Sequence, residues 1–434
     1  MKGIRSTVKI LIVTKGYYPH GDATGAVVRN VTEALIAQGH SVHVAGLSGE
    51  KADTAVMERR GERITNLYVP EMRSRAQLMR DLKKKPLRTG GLMVRRTLAE
   101  AERSLLRRYR ELSVYPPYAR AYRRFFREHL RKETYDLVLI TLMPQDAVWA
   151  FQREKIRCPW AVYQLDTYWN RGTDTETNLE ERKAFERRMA EECAFVLTTP
   201  LIAEANGKLW PDLKDKWIPS EFPMVREAGK ISGEPVFRDG RTHLVFAGAL
   251  YPRLRPPEKA VRAIAAWKEL VEKEPAEGAG ICFDFYGGHQ ELVEAAPDYP
   301  GAKEWIALHG SVSSEEAARA RETADFLINI DNTNPLQVPS KIFEYISTGK
   351  PVVNFVFDDR SPILPYLRDY PLCLTVNLNR MREDGSDAAE KLAAFVQENR
   401  GKRLPFARIR ERYLNCTPEY VAEQLAAAAG LNRG

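Results

Sequence analysis

Residues 335–353 read PLQVPSKIFEYISTGKPVV, and their pattern decides the fold. The stretch follows a strand-like run, Asp325-Phe326-Leu327-Ile328-Asn329-Ile330, and a polar turn, Asp331-Asn332-Thr333-Asn334. Its middle predicts a short amphipathic helix that stops at Gly349, before a second apolar strand. Strand, turn, helix and strand in this order form a βαβ unit of a parallel sheet. A helix that starts just past a strand presents unpaired backbone N–H groups and a positive dipole end to an anion. Lys341 adds a full charge in the first turn, and Glu344, one turn on, can accept hydrogen bonds from sugar hydroxyls. Donors for phosphate beside a carboxylate for a ribose are what a nucleotide diphosphate needs.

The phrase VPSKIFEYISTGKPVV resembles the donor-binding segment of GT-B fold glycosyltransferases of the family 4 type, where PSKxFEYMAxGKPVV recurs. Two further stretches carry the likeness in the right order. The opening KILIVTKGYYPHGDATGAVVRNVTEALIAQGHSVHVAG is similar to that family's first strand, glycine-containing loop and first helix, and HLVFAGALYPRLRPPEKAVRAIAAW is similar to the start of its second Rossmann-like domain. The resemblance implies that the second domain holds a nucleotide sugar and the first holds most of the acceptor.

Working outward, strands alternate with helical stretches along almost the whole chain. Val8–Val13, Ser41–Leu47, Ile64–Val69, Asp136–Thr141, Trp160–Leu165 and Phe195–Thr199 read as strands of one unit. Pro219–Pro223 is a proline-punctuated linker, and alternation restarts at His243–Gly248. The fold class expected is α/β: two Rossmann-like doubly wound domains facing a cleft, with a helical insertion in the first. The domains expected are an acceptor domain over 1–220 with a basic insertion at about 73–132, a nucleotide-sugar domain over 221–400, and a C-terminal helical segment over 401–434 packing back toward the first domain. The tail from about Ser386 to Leu431 reads as two helices.

The 434 residues suffice for two ordinary domains, and no apolar run approaches the ~20 residues of a membrane-spanning helix. The N-terminus has a basic start, but its apolar part is too short for a signal segment. The five cysteines are scattered and never form CxxC, which argues for a reducing compartment and against disulfides or zinc. A cytoplasmic location follows as the expectation. The net charge of +8 is uneven: between Arg73 and Lys132, 19 basic residues face five acidic ones, a balance of +14 that leaves the rest of the chain at −6. Apolar residues at helical spacing (Leu98, Leu105, Leu106, Tyr109, Leu112) run between the arginines. Such a helix suits an anionic membrane surface, with a helix packed on its own domain as the alternative. No nucleic-acid-binding motif accompanies the charge, so nucleic acid is not expected as a partner.

After the first strand, Gly21, Gly25 and Ala26 precede the first helix; there is no GxGxxG, but a small-residue turn lets backbone approach a ligand. The resemblance places Gly25 near the donor diphosphate. In that family an Arg just after the glycine matching Gly248, and a Lys six positions later, clamp the diphosphate. Here Ala249 stands in the first position and Arg255 in the second, with Arg253 and Lys259 as weaker substitutes and Tyr251 beside them. Of the family's paired glutamates Glu344 matches the second, and Leu336 occupies the place of the first, so the sugar ring must be held differently, by backbone N–H groups around Leu336–Val338. Gly287-Gly288-His289 resembles the loop near the base. On the acceptor side Asp166 follows a buried strand at its C-terminal end, where open α/β sheets bind ligands, and can accept an acceptor's proton; capping a turn is its other reading. His20 lies in the first loop, and Asp174-Thr175-Glu176 has metal-pair spacing but sits in a polar loop.

The resulting expectation is a glycosyltransferase moving sugar from a nucleotide-diphosphate sugar to an acceptor hydroxyl, with retention and without a metal cofactor, as the resemblance implies. Catalysis falls to Arg255, Lys341 and Asp166; the donor falls to Gly25, Gly248, Tyr251, Arg253, Gly288, Val338, Ser340 and Glu344. A lipid-linked saccharide of cell-surface polysaccharide synthesis is the acceptor expected, met on the inner membrane face. A nucleotide-sugar epimerase or hydrolase of the same fold, and a non-catalytic sugar-nucleotide-binding protein, are the alternatives.

Overall fold

The computed structural model describes residues 7–19, 22–51, 56–73, 75–84, 86–108, 114–143, 145–154, 156–170, 176–227, 234–273 and 280–430. The chain forms two compact units, Met1–Pro223 with Asn415–Gly434, and Met224–Leu414.

The first unit contains β1 (Lys9–Val13), α1 (Ala23–Ala37), β2 (Ser41–Ser48), β3 (Met57–Arg59), β4 (Glu62–Tyr68), α2 (Arg75–Lys84), α3 (Pro86–Arg108), α4 (Pro116–His129), β5 (Leu137–Thr141), α5 (Asp146–Glu154), β6 (Trp160–Gln164), α6 (Glu176–Glu192), β7 (Val196–Thr198), α7 (Pro200–Leu209) and β8 (Trp217–Pro219). Its eight-stranded sheet runs β3-β4-β2-β1-β5-β6-β7-β8, parallel except for β3. The inner strands are apolar without a break because helices cover both faces of a parallel sheet. Strand order reverses between β1 and β5, and ligands bind at such points outside the carboxyl ends of strands.

The basic segment does not act as one insertion. α4 is part of the core: Tyr122, Phe125 and Phe126 pack against Phe151 and Trp160, and Tyr122 donates to the Thr14 carbonyl at 3.0 Å. Arg123 and Arg127 on its outer side pair with Glu154. Against α4, His43 accepts or donates to Tyr135 at 2.6 Å and Thr65 at 2.8 Å, and burial pushes its pKa down to about 3. Only α2 and α3 stand apart from the core. The expected stripe continued to Tyr109 and Leu112, which lie outside the described residues, as do His20, Gly21, Asp174 and Thr175.

The second unit contains β9 (Thr242–Ala247), α8 (Glu258–Lys273), β10 (Ile281–Tyr286), α9 (Glu291–Glu294), α10 (Tyr299–Ala302), β11 (Ile306–Gly310), α11 (Ser314–Thr323), β12 (Phe326–Ile330), α12 (Lys341–Thr348), β13 (Val352–Val356), α13 (Leu364–Leu367), β14 (Cys373–Asn377), α14 (Ser386–Asn399) and α15 (Phe406–Arg412). Six parallel strands lie in the order β11-β10-β9-β12-β13-β14, the doubly wound arrangement, with its reversal between β9 and β12. Leu244, Phe246, Phe283, Phe285 and Trp267 form the core under α8 and α14.

The tail differs from its expected form. It holds three helices, α14, α15 and α16 (Pro418–Ala428), and 401–434 divides between the units. Residues up to Leu414 stay with the second unit because their backbone and side chains bond into it: Leu404 N–H to the Gly349 carbonyl at 2.8 Å, Arg403 Nε to the Thr348 carbonyl at 2.7 Å, and Tyr413 hydroxyl to the Tyr366 carbonyl at 2.7 Å. α16 belongs to the first unit and packs on α1, with Gln38 Nε2 donating to the Glu419 carbonyl at 3.1 Å. The boundary falls at Pro223, three residues past the expected 220.

Candidate functional site

In the second unit, β9 and β12 end side by side at the reversal of strand order, and the quoted stretch of sequence starts there. Beyond β9 the chain passes Gly248 and returns through a bridge between Tyr251 and Arg255. Gly248 donates to the Tyr286 carbonyl at 2.8 Å, which joins the ends of β9 and β10. Gly287 follows β10 with φ 132°, and a Cβ there would stand 2.0 Å from the Gly248 oxygen, so only glycine fits. Gly288 accepts from Leu250 N–H at 3.1 Å, and the exposed Tyr251 lies against His289, ring centroids 5.6 Å apart.

Arg255 turns inward from this loop. Its Nη1 donates to the Ala249 carbonyl at 3.1 Å and its Nη2 to Asn332 Oδ1 at 2.8 Å, while its buried Nε has no partner. Burial lowers its pKa. Asn332 N–H in turn donates to Asp331 Oδ1 at 2.8 Å, and Ser361 donates to the other Asp331 oxygen. Arg253 points to solvent, with its carbonyl accepting from Thr333 at 2.7 Å, and Lys259 is turned to Asn379 at 2.7 Å.

α12 begins beside Arg255. Its first residue, Lys341, makes no hydrogen bond or ion pair among the described residues. Burial lowers its pKa, the Glu344 carboxylate opposes that shift, and Arg321 and Arg255 add to it, so three cations and one carboxylate share this corner. Ser340 stands at the N-cap but its side chain caps nothing, and the Ile342 and Phe343 amides turn back to the Pro339 and Ser340 carbonyls at 3.1 and 3.2 Å. Val338 is buried just before it, while the Leu336 amide is spent on Asn334 Oδ1 at 3.0 Å. The expected amide cradle therefore excludes Leu336, because an Asx turn uses its N–H. Glu344 is ion-paired to Arg321 at 2.9 Å, both partly buried. The arrangement offers a doubly bound guanidinium, an unpaired ammonium and a helix N-terminus around one point, a receptor for a di-anion.

Asp331 lies beneath these cations, and burial pushes its carboxyl up to about 6. Its proton is therefore held in the folded state at pH values where the unfolded chain has lost it. Stability from this group is complete below its unfolded value of about 4 and is lost as pH rises through its folded value. Replacing Asp331 with Asn is expected to flatten that part of the rise in melting temperature seen from about pH 7 to about pH 5. An unchanged slope in the variant would remove Asp331 as the source.

The first unit has a separate cavity of about 570 Å³ at its own reversal point. Lys15 reaches it from the end of β1, Asp22 and Thr24 from the start of α1, Met143 and Gln145 from beyond β5, Asp146 from the start of α5, and Asp166 and Tyr168 from beyond β6. α3 supplies Arg96, Glu100 and Arg103, α4 and its preceding residue supply Tyr118 and Tyr115, and α6 supplies Glu181 and Arg182. Carboxylates, guanidinium groups and aromatic faces in one cavity suit a polyhydroxyl ligand. Asp146 accepts from the Tyr115 amide at 2.5 Å, and burial pushes its pKa up to about 6. Gly25 sits at the start of α1, where its N–H donates to Asp22 Oδ1 at 2.8 Å. A Cβ on Gly25 would stand 1.8 Å from the Gly16 oxygen, so helix and loop already meet there backbone to backbone.

Sequence reasoning brought Arg255, Lys341, Ser340 and Glu344 to one corner and missed Arg321, Asp331 and Ser361, which come from other elements. It also missed that α3 lines the cavity of Asp166, since a charge run carries no sign of which arginine turns inward.

No protein-family model matches the chain, and no curated sequence matches it. Solved structures do match. Sucrose-phosphate synthase from Thermosynechococcus elongatus is 15% identical over 97% of this chain and 98% of its own, with a TM-score of 0.62. A trehalose-6-phosphate protein from E. coli bound with UDP-2-fluoro glucose is 10% identical over 98% and 99%, with a TM-score of 0.57. UDP-GlcNAc 2-epimerase from Methanocaldococcus jannaschii is 10% identical over 97% and 99%, with a TM-score of 0.52. The two parallel-sheet domains are those of the GT-B fold, the fold of the glycosyltransferases among these structures.

Proposed function

We propose that the chain is a glycosyltransferase that moves a sugar from a nucleotide-diphosphate sugar to an acceptor hydroxyl. The observation that carries this reading is the corner formed by Arg255, Lys341 and the uncapped start of α12 at the β9/β12 reversal. Arg255 and Lys341 neutralise the diphosphate, with the Val338 and Ser340 amides beside them and Gly248, Tyr251, Arg253 and Gly288 shaping the rest of the donor site. As the C1–O bond to the diphosphate breaks, the leaving group gains charge, which fixed cations stabilise without any metal. The acceptor binds in the first unit's cavity, where Asp166 takes the hydroxyl proton as the new C1–O bond forms. Gly25 serves the loop that borders this cavity. Transfer with retention follows the sequence resemblance.

Glu344 receives the ribose hydroxyls, with Arg321 holding its carboxylate in place. Glu344→Gln keeps the shape but makes a weaker acceptor, so nucleotide affinity is expected to fall by about 1–3 kcal/mol. Lost stability with unchanged nucleotide binding would make Glu344 a structural partner of Arg321 only.

A membrane-bound acceptor is supported by α3. Leu87, Val94, Leu98 and Leu105 are 93%, 59%, 63% and 55% exposed, and their spacing of seven, four and seven puts them on one face. Arg95 is exposed beside them, and no helix among the described residues is long and apolar enough to cross a membrane. This face fits the surface of an anionic bilayer, where a lipid-linked saccharide of a cell-surface polysaccharide is presented.

The experiment is product analysis with a panel of nucleotide sugars, chosen by the thermal shift that a bound ligand gives (roughly 2.7 kcal/mol at about 100 times its dissociation constant). Transfer that needs an acceptor supports the reading. Free epimer or free sugar formed without one would favour the epimerase or hydrolase alternative.

A further inference from the structure

We propose that the second unit binds one zinc ion through His243, Cys282 and Asp284. The three residues sit on one face of the sheet, His243 on β9 in register with Cys282 on β10, and Asp284 two residues further along β10. All three are buried, and their ligand-type atoms lie within 4.8 Å of one another. Nitrogen, sulfur and carboxylate oxygen from three fixed strand positions are a zinc donor set.

The outer partners that such a site requires are in place. His243 Nδ1 is hydrogen-bonded to Asp284 Oδ2 at 2.7 Å, a bond between two ligands that the ion would replace, while Nε2 bonds to Asp239 Oδ1 at 2.8 Å, so a carboxylate orients the ring from behind. The second oxygen of Asp284 bonds to His309 Nε2 at 2.8 Å. Ligating histidines and carboxylates are usually held in this way. Phe237 stacks on the His243 ring at 3.9 Å and shields one side. A cavity of about 470 Å³ reaches two of the ligands, His243 and Asp284, with Asp239, His309, Arg238 and Arg241 in its wall and Cys282 behind it, and has room for a water as fourth ligand. A metal between Nδ1 and Oδ2 needs that pair to open by about 0.6 Å to reach tetrahedral spacing, a side-chain adjustment.

Charge separates this cluster from the other His-containing one. Around His43, His129 and Glu133, both Lys9 and Arg63 already pair with Glu133, at 2.7 and 2.9 Å, and repel a cation. At His243 two guanidinium groups are near, Arg241 paired with Asp239 at 2.6 Å and Arg238 paired with Glu234, and neither pairs with a ligand; a thiolate with a carboxylate balances a divalent ion. His243 lies five residues before Gly248 along the chain, roughly 16 Å of strand, so the ion would brace the sheet apart from the diphosphate corner. The scattered cysteines argued against zinc because the ligands are about forty residues apart in sequence and meet only through strand register.

The test uses the full chain, stripped of metal with a chelator and titrated with Co²⁺ and then Zn²⁺. Expected are one ion per chain, a sulfur-to-cobalt charge-transfer band, and a higher melting temperature with Zn²⁺. Cys282→Ser should abolish the band and weaken zinc by more than the ~10–100-fold that loss of an outer partner costs, while Cys158→Ser keeps both. Should Cys282→Ser fail to fold, Asp239→Asn, whose carboxylate is partly exposed, should weaken zinc ~10–100-fold. No bound ion, an ion without the charge-transfer band, or binding unaffected by Cys282→Ser and by Asp239→Asn overturns the proposal.

Discussion

Replacing Lys341 with alanine is expected to lower turnover about 100-fold or more while leaving the melting temperature unchanged or higher. The opposite signs follow from its surroundings. The Lys341 side chain makes no hydrogen bond or ion pair among the described residues; burial, the largest effect, lowers its pKa, and the pull of Glu344, itself ion-paired to Arg321, is opposed by Arg321 and Arg255. An ammonium held there costs the folded state and is repaid only when a di-anion arrives, the usual trade of stability for function. Arg255→Ala should slow turnover by a similar factor for a different reason. Its guanidinium is fixed by the Ala249 carbonyl and Asn332, so the substitution also removes two hydrogen bonds and costs about 1–3 kcal/mol of stability. Wild-type turnover in Lys341→Ala would take that residue out of the site. A melting temperature well below wild type would make it a structural cation.

The purified protein is expected to float with vesicles containing anionic lipid and to leave neutral ones. Four exposed apolar side chains on α3 add hydrophobic contact, each worth up to roughly 1.5–3 kcal/mol when fully buried, and each basic residue at the surface adds about 1 kcal/mol. Raising salt from about 0.1 M to 1 M shortens the screening length from roughly 10 Å to 3 Å and should release most of the protein. Val94→Asp with Leu98→Asp should abolish flotation and spare nucleotide binding. Arg95→Glu is a suitable charge variant, whereas Arg96 is not: it donates to the Arg73 carbonyl at 3.2 Å and lines the cavity of the first unit. Equal flotation with anionic and neutral vesicles, or none with either, would leave α3 as a wall of that cavity and nothing more.

How far the chain could be read ahead of its fold depends on how local each feature is. The βαβ order around 325–353, and the turn-helix at Ser340, were legible because strand period, helix period and a terminal Gly349 at φ 73° all lie within thirty residues. Most strands of both sheets followed from alternation, but the edge strands β3, β8 and β14 were not read. The helical insertion was read too long because α4 carries the same arginines as α3, and only packing shows that Tyr122 and Phe126 are core. The tail was misassigned because the bonds that hold 401–414 to the second unit are made with Gly349, Thr348 and Tyr366, which no periodicity reports. Arg255 was singled out by position, but its anchoring on Asn332 was not legible. Glu344 was singled out by motif, but its partner Arg321 lies on α11 and left no sign.

The central claim is that the second unit holds a nucleoside diphosphate at the β9/β12 reversal. Its most direct test is calorimetric titration of the full chain with UDP and with GDP, for the wild type and for Lys341→Ala. The account predicts one site per chain for one of the two, with affinity reduced at least ~10-fold in the variant, the equivalent of about 1.4 kcal/mol. Binding of neither diphosphate, or binding of equal strength in Lys341→Ala, would contradict it.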